Sequence, residues 1–199
     1  DGYWRMSQKP ASTLLHLGPG LANGLANLHN AKKARSGIVN VIGEHGTAHI
    51  ALNAPLTSDI EGAARPFSDW VRTTGDADSV ASDAAAAIGA SLSNPGRIAT
   101  LILPADAAWS ELRTEQTEIP RATTVIPEEI SPAKTVAAAK LLRAEGMTAI
   151  ILDARLTRDR ELALAGQISI ATGADLVVPT QSARISRGAG RVPVKRVPY

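Results

Sequence analysis

Along the first hundred residues, short apolar runs alternate with stretches in which apolar residues recur every three or four positions. Thr13–Leu17, Ile38–Ile42 and Ile98–Leu103 are too brief for free-standing helices and read as buried strands. Behind the first run, Leu21, Leu25 and Leu28 fall at helical spacing, with Ala22, Ala26 and Ala31 between them. Gly18-Pro19-Gly20 separates the two, so the unit reads as strand, tight glycine turn, helix. That is where an open α/β sheet puts its ligand.

The elements around this unit follow from their punctuation. Residues 1–12 read as the tail of a helix and a Lys9-Pro10 turn. Lys32, Lys33 and Arg35 suit a last helical turn, and Gly37 is expected to stop the helix. Gly43-Glu44-His45-Gly46 opens a loop carrying His49, Asn53, Pro55 and Ser58. Asp59 is expected to cap a short helix that cannot run far past Pro66, and Asp69–Thr74 reads as a short strand. Asp78 or Ser79 is expected to cap an Ala-rich helix to about Ser93, closed by a turn at Asn94-Pro95-Gly96.

Between Ala107 and Ile130 the periodicity lapses into Glu, Thr and Pro, which reads as a linker. Beyond it Ser131 caps and Pro132 opens a helix to Ala144. A strand at Ala149–Leu152, a helix from Asp159 to about Thr172 and a strand at Leu176–Val178 follow. Ser182–Tyr199 is basic, interrupted by Gly and Pro, and reads as irregular. Alternating strands and helices in both halves predict an α/β fold with parallel sheets and right-handed crossovers.

Composition changes this picture little. A chain of 199 residues can bury a real core, and aromatics at 3% leave that core to small and branched side chains. A net charge of +2 supplies no field for nucleic acid or a membrane surface, and neither is expected as a partner. Arg184, Arg187, Arg191, Lys195 and Arg196 do cluster near the end, with no acidic residue beside them in sequence. The chain has no cysteine, hence no disulfide framework and no thiolate site. No apolar run reaches spanning length and no signal-peptide pattern opens the chain, so a cytoplasmic location is expected. Both ends read like the interior of something longer, since the chain opens at Asp1 without Met and stops at Tyr199.

The glycine turn is the first candidate for chemistry. Gly18 and Gly20 supply two positions of a dinucleotide fingerprint, and Glu44 stands near the place of the ribose acid. The third position, however, is Asn23, and Pro19 lacks the N–H that a phosphate cradle uses. A standalone nucleotide- or metabolite-binding module is the alternative that this partial match keeps open. His45 and His49 have the i, i+4 spacing of metal ligands, but no third ligand accompanies them and no metal is expected. Their place beyond a strand end makes them candidate active-site loop residues. His16 is expected to pack in the core and His29 to complement a helix C-terminus, while Trp4, Trp70 and Trp109 are expected to anchor packing.

Asp1-Gly2-Tyr3-Trp4-Arg5-Met6, Gly18-Pro19-Gly20-Leu21-Ala22-Asn23, Gly43-Glu44-His45 and Leu101-Ile102-Leu103-Pro104-Ala105-Asp106 occur in this order. Together they resemble the pyrimidine-binding domain of thiamine-diphosphate-dependent 2-keto acid enzymes, the superfamily of acetolactate synthase and benzoylformate decarboxylase. Gly166-Gln167-Ile168, Thr172-Gly173-Ala174 and Arg187-Gly188-Ala189-Gly190-Arg191 resemble the start of that family's central domain. The resemblance implies a three-layer, parallel-sheet pyrimidine-binding domain over residues 1–110 and a linker over 111–130. Part of a second, Rossmann-like α/β domain over 131–199 would follow.

The same resemblance implies that Gly18, Pro19, Gly20 and Asn23 face the aminopyrimidine ring of thiamine diphosphate. Glycines allow close backbone approach to a flat ring, and an amide orients it. The family's catalytic glutamate lies upstream of the segment matched by Asp1–Met6, so no acid here is assigned that role. The domain that holds the diphosphate and Mg2+ would follow the central domain. The resemblance further implies an incomplete piece of a homodimer or homotetramer that decarboxylates or ligates a small 2-keto acid. Pro55-Leu56-Thr57 and Asp69-Trp70 stand where acetolactate synthases carry Phe-Gln-Glu and Lys-His, which turns the reading toward less specific decarboxylases. Asp153-Ala154-Arg155 replaces the glycines of the flavin-binding members, so FAD is not expected.

Overall fold

The computed structural model describes residues 1–93, 95–115, 118–123, 128–180 and 184–197, apart from the side chains of residues 154 and 155. Asn94 of the expected turn, parts of the linker and parts of the final segment therefore lie outside the described residues. By packing the chain divides into two units, Asp1–Val125 and Ile126–Tyr199.

In the first unit α1 (Gly2–Ser7) leads into β1 (Ala11–His16), α2 (Leu17–Lys33) and β2 (Ile38–Glu44). The short helices α3 (Thr47–Ile50) and α4 (Ile60–Ala64) precede β3 (Trp70–Thr73). Then come α5 (Val80–Ser91), β4 (Ile98–Pro104) and α6 (Ala105–Trp109). The four strands are all parallel, in the order β1-β2-β4-β3. The isoleucines Ile38, Ile42, Ile98 and Ile102 pack with Leu21 and Leu28 of α2 and with Ile60 and Ala64 of α4. On the opposite face Val39, Ala99 and Leu101 pack with Ala87 of α5. Helix, sheet and helix thus form three layers, as a parallel sheet requires.

The junction of β1 and α2 differs from expectation. Gly18-Pro19-Gly20 is not a separate turn: it is the first turn of α2. The reversal is made by Leu17, at φ 54, so no residue intervenes between strand and helix. Pro19 is tolerated there because the first-turn N–H groups lack intrahelical partners. β1 itself is not a buried strand. α5 covers β2 and β4, and among the described residues nothing covers the same face of β1, so Leu14 is 78% exposed and His16 is exposed rather than packed.

The far end of α2 also departs from the sequence reading. Arg35 N–H donates to the Lys32 carbonyl and Ser36 N–H to the Ala31 carbonyl, at 3.1 and 3.0 Å. This is a Schellman closure, with Arg35 in the left-handed position at φ 56 where glycine usually stands. Gly37 serves packing instead. A Cβ there would lie 2.6 Å from both the Ser91 carbonyl oxygen and Cζ3 of the buried Trp4. Trp4 anchors packing as expected, but Trp109 is 86% exposed.

A polar row crosses the sheet, exposed at Thr13 and buried from Asn40 onward. Thr13, Asn40 and Thr100 are register partners on β1, β2 and β4. Thr13 Oγ1 donates to Asn40 Oδ1 at 2.8 Å, and Asn40 Nδ2 donates to Thr100 Oγ1 at 3.2 Å. Ser68 Oγ extends the row at 2.6 Å from Thr100 Oγ1. Two caps can be compared with expectation. Asp59 accepts from Gly62 N–H, as predicted for α4. The turn before α5 is capped by Asp76, which accepts from Ser79 N–H, while Asp78 takes the backbone N–H groups of Arg113 and Thr114.

The second unit contains α7 (Pro132–Leu142), β5 (Ala149–Ile151), α8 (Asp159–Thr172), β6 (Asp175–Val178) and β7 (Lys195–Arg196). Ser131 Oγ accepts from Lys134 N–H, the cap expected before Pro132. Its parallel sheet runs β5-β6-β7 around Leu152, Leu162, Leu176 and Val178. The tail is therefore not wholly irregular. Its cations also meet acids distant in sequence: Arg191 pairs with Asp159 and Lys195 with Asp175, each at 2.7 Å.

Candidate active site

At the C-terminal ends of β1, β2 and β4, the register row His16, Gly43 and Leu103 opens on a cavity of about 740 Å³. Leu14, Leu17, Leu56, Leu103 and Trp109 give it apolar walls, and Glu44, His45 and His49 supply polar groups. Strand ends of a parallel sheet place ligands in just such a crevice. The chain enters the loop as β2 ends, and Glu44 Oε1 accepts the His45 backbone N–H at 2.7 Å. His45 Nε2 is buried and has no hydrogen-bond partner. A buried ring nitrogen without a partner costs about 1–3 kcal/mol.

The histidine loop is held from across the sheet. Gly46 carbonyl accepts from His49 N–H at 2.8 Å, forming the single turn of α3. Asp106, in the first turn of α6, accepts the Thr47 N–H at 3.1 Å on one oxygen and the Thr47 hydroxyl on the other. The Thr47 hydroxyl, with its backbone N–H second, holds the Asp106 carboxyl below the usual carboxylate range. Asp106 thereby ties the end of β4 to the loop that carries His45 and His49. Sequence reading missed this role; a carboxylate directly after a strand end, in the first turn of a helix, was its signal.

The residues singled out beforehand are thus distributed unevenly. His45 and His49 come together with Glu44, and His16 joins them from β1. Gly18, Pro19, Gly20 and Asn23 do not line this cavity, although Leu17, their neighbour, does. Gly18 lies against the loop before α4, where a Cβ would come within 1.9 Å of Ser58 Oγ. Gly20 lies against β1, its Cβ position 3.4 Å from the Leu15 carbonyl carbon. Asn23 is exposed one turn further along α2. His29 sits near the end of α2 and meets Phe67 edge-on, with ring centroids 6.4 Å apart.

Residues 1–63 match the family described as thiamine pyrophosphate enzyme, N-terminal TPP binding domain. The chain is similar, over these residues and beyond them, to part of the thiamine-pyrophosphate-dependent enzymes. Over all 199 residues it is 44% identical to IlvX of Mycobacterium tuberculosis, provisionally described as an acetolactate synthase large subunit. The chain spans 38% of that relative's length. Its fold is shared with the thiamine diphosphate-dependent 4-hydroxybenzoylformate decarboxylase of Rhodococcus jostii RHA1, with a TM-score of 0.78 at 19% identity. That match covers 90% of this chain and 34% of the decarboxylase. A Mycobacterium smegmatis protein, provisionally described as a thiamin diphosphate-dependent enzyme, gives a TM-score of 0.73 at 19% identity. There the match covers 93% of this chain and 35% of the other. Among the described residues no helix is long and apolar enough to cross a membrane.

Proposed function

We propose that this chain forms the pyrimidine-side half of a thiamine-diphosphate site in an enzyme that decarboxylates or ligates a 2-keto acid. The observation that carries the reading is the continuous 44% identity to the mycobacterial acetolactate synthase-like protein across the whole chain. The apolar cavity, with an unpartnered buried nitrogen at the strand ends, is compatible with a flat heterocycle and a small acid.

In this reading the first turn of α2, with Gly18, Pro19 and Gly20, approaches the aminopyrimidine ring, and Asn23 orients it. His45 Nε2 and His49 hold polar groups of the substrate, while the leucines and Trp109 exclude water from it. Glu44, by accepting the His45 backbone N–H, fixes where the imidazole stands. The bound cofactor supplies carbanion stabilisation for breaking or forming the bond beside a keto group. Contacts to the diphosphate and to Mg2+ come from residues outside this chain, and FAD takes no part. The assembled protein is a homodimer or homotetramer in the cytoplasm.

The test uses the native protein that carries this chain, loaded with thiamine diphosphate and Mg2+. Carbon dioxide release from pyruvate and from benzoylformate is followed with and without an acceptor aldehyde. Release with a free aldehyde product identifies a decarboxylase; a hydroxyketone identifies a carboligase. No release from either acid, with cofactor bound, refutes the reading. Asn23→Ala should raise the cofactor concentration for half-activation about tenfold, the worth of one hydrogen bond, with an unchanged circular dichroism spectrum.

A further inference from the structure

Gly43, near the end of β2, is the only glycine inside a described strand. Glycine weakens a strand, because it gives up more chain entropy than other residues and packs nothing. Two reasons account for other glycines of this chain, and neither applies to Gly43. Gly146, Gly173, Gly188 and Gly190 have positive φ, and Gly43 does not. Gly37 and Gly96 lie against Trp4, where a Cβ would come within 2.6 and 2.5 Å of the indole. A Cβ on Gly43 would meet nothing within 4 Å. Among the described residues, then, neither backbone conformation nor packing requires glycine here. What the missing side chain leaves is space in the cavity at the strand ends.

That space has a definite shape. His16, Gly43 and Leu103 are register partners on β1, β2 and β4, so their side-chain positions share one face of the sheet. Adjacent strands lie about 4.8 Å apart, which sets the His16 and Leu103 backbones about 10 Å apart with glycine between them. Leu14, two residues before His16 on β1, continues the same face and is 78% exposed. The result is a slot with an imidazole on one side, a leucine on the other and bare backbone as its floor. Only glycine lets a flat ring approach the backbone so closely. The polar end of the cavity begins one residue further on, at Glu44 and at His45, whose Nε2 is buried and unpartnered.

We propose that Gly43 is a specificity-determining residue of this site, and that the 2-keto acid it admits carries an aryl ring directly on the keto carbon. This inference rests on the function proposed above. A methyl group, as in pyruvate, leaves the floor of the slot to water, whereas a ring covers the floor and meets His16 and Leu103. One methylene in an apolar pocket changes kcat/KM by about 10–200-fold, so a ring set against a methyl group is worth about a hundredfold or more. The short step from Gly43 to His45 favours a compact acid, with ring and carboxylate on adjoining carbons, over a ring on a flexible chain.

The test compares the native protein that carries this chain, loaded with thiamine diphosphate and Mg2+, with its Gly43→Val variant, valine being suited to a strand. The unchanged protein should show a kcat/KM for benzoylformate about a hundredfold above that for pyruvate. Gly43→Val fills the slot and should cut that ratio about a hundredfold, with the melting temperature kept. Calorimetry with phenylacetate, which holds ring and carboxylate at the same spacing without the keto group, gives a readout apart from turnover. Saturable binding is expected, weakened about tenfold or more by Gly43→Val. Should valine unfold the protein, Gly43→Ala carries the test, with about a tenfold fall in the ratio. Pyruvate used as well as benzoylformate, a ratio that the variant leaves unchanged, or equal phenylacetate binding by the variant would overturn the proposal. If neither acid is turned over, the proposed function fails and phenylacetate alone judges the slot. Binding lost in Gly43→Val then supports the slot, and binding absent throughout or unaffected by valine overturns it.

Discussion

Replacing Asn40 tests whether the polar row across the sheet is a stabilising element. Asn40 is completely buried, between Ile38 and Ile42 on the face that packs against α2. Asn40→Ala removes the hydrogen bonds to Thr13 and Thr100, worth about 1 kcal/mol each net. Neither partner is orphaned. Thr13 is exposed and regains water, and Thr100 keeps Ser68 at 2.6 Å. The vacated volume adds about 1–2 kcal/mol, so the sum is about 3 kcal/mol. Asn40→Val loses the same bonds but refills most of the space with a residue suited to a strand, for about 1 kcal/mol. Urea unfolding followed by tryptophan fluorescence reads this cleanly, because all three tryptophans lie in the first unit. The midpoint should fall with an unchanged slope. Equal losses for Ala and Val would refute the volume argument, and a loss below about 0.5 kcal/mol for Ala would refute the whole accounting.

Acid should release the histidine loop late. Because Asp106 is depressed by Thr47, its contribution is present above the ordinary carboxylate range and is lost as pH falls through the lowered value; the Thr47 amide shift should titrate below that of an unperturbed aspartate, and a midpoint at the ordinary value counts against the clamp. Gly37→Ala should cost about 2 kcal/mol or more, since the new methyl meets a carbonyl oxygen and Trp4, whereas Gly43→Ala, with nothing within 4 Å, should cost far less in the same denaturation assay. Ala22 and Ala26, both exposed on α2, offer a small-residue face on which a second copy could pack in the proposed oligomer, so Ala26→Arg should turn the native oligomer into folded monomer by sedimentation and circular dichroism. An intact oligomer would remove α2 from the interface.

The strands and the long helices were legible because their apolar spacing is set by burial on both faces. β2 and β4 are the clearest cases, since each is covered twice. β1 misled for the same reason: Leu14 reads as core, but the layer that would bury it is not among the described residues. Arg35 could not have been read as the closing residue of α2, because a glycine two positions on offered the cheaper solution. That glycine was already needed under Trp4, a contact that sequence spacing does not reveal. Of the site, His45 and His49 were visible as residues beyond a strand end. Their tether to Asp106 spans 59 positions for Thr47 and leaves no local pattern.

The seamless passage from β1 into α2 has a consequence for timing. With no connecting residue, the first turn of the helix can move only if the sheet moves with it. One wall of the cavity is therefore as stiff as the core, while the other rests on a single-turn helix hung from one carboxylate. Adaptation to ligands of different size falls to residues 45–59, on the microsecond-to-millisecond scale of collective segment motion. Changes at Leu17 would then alter which ligands fit, and changes near Thr47 how fast they come and go.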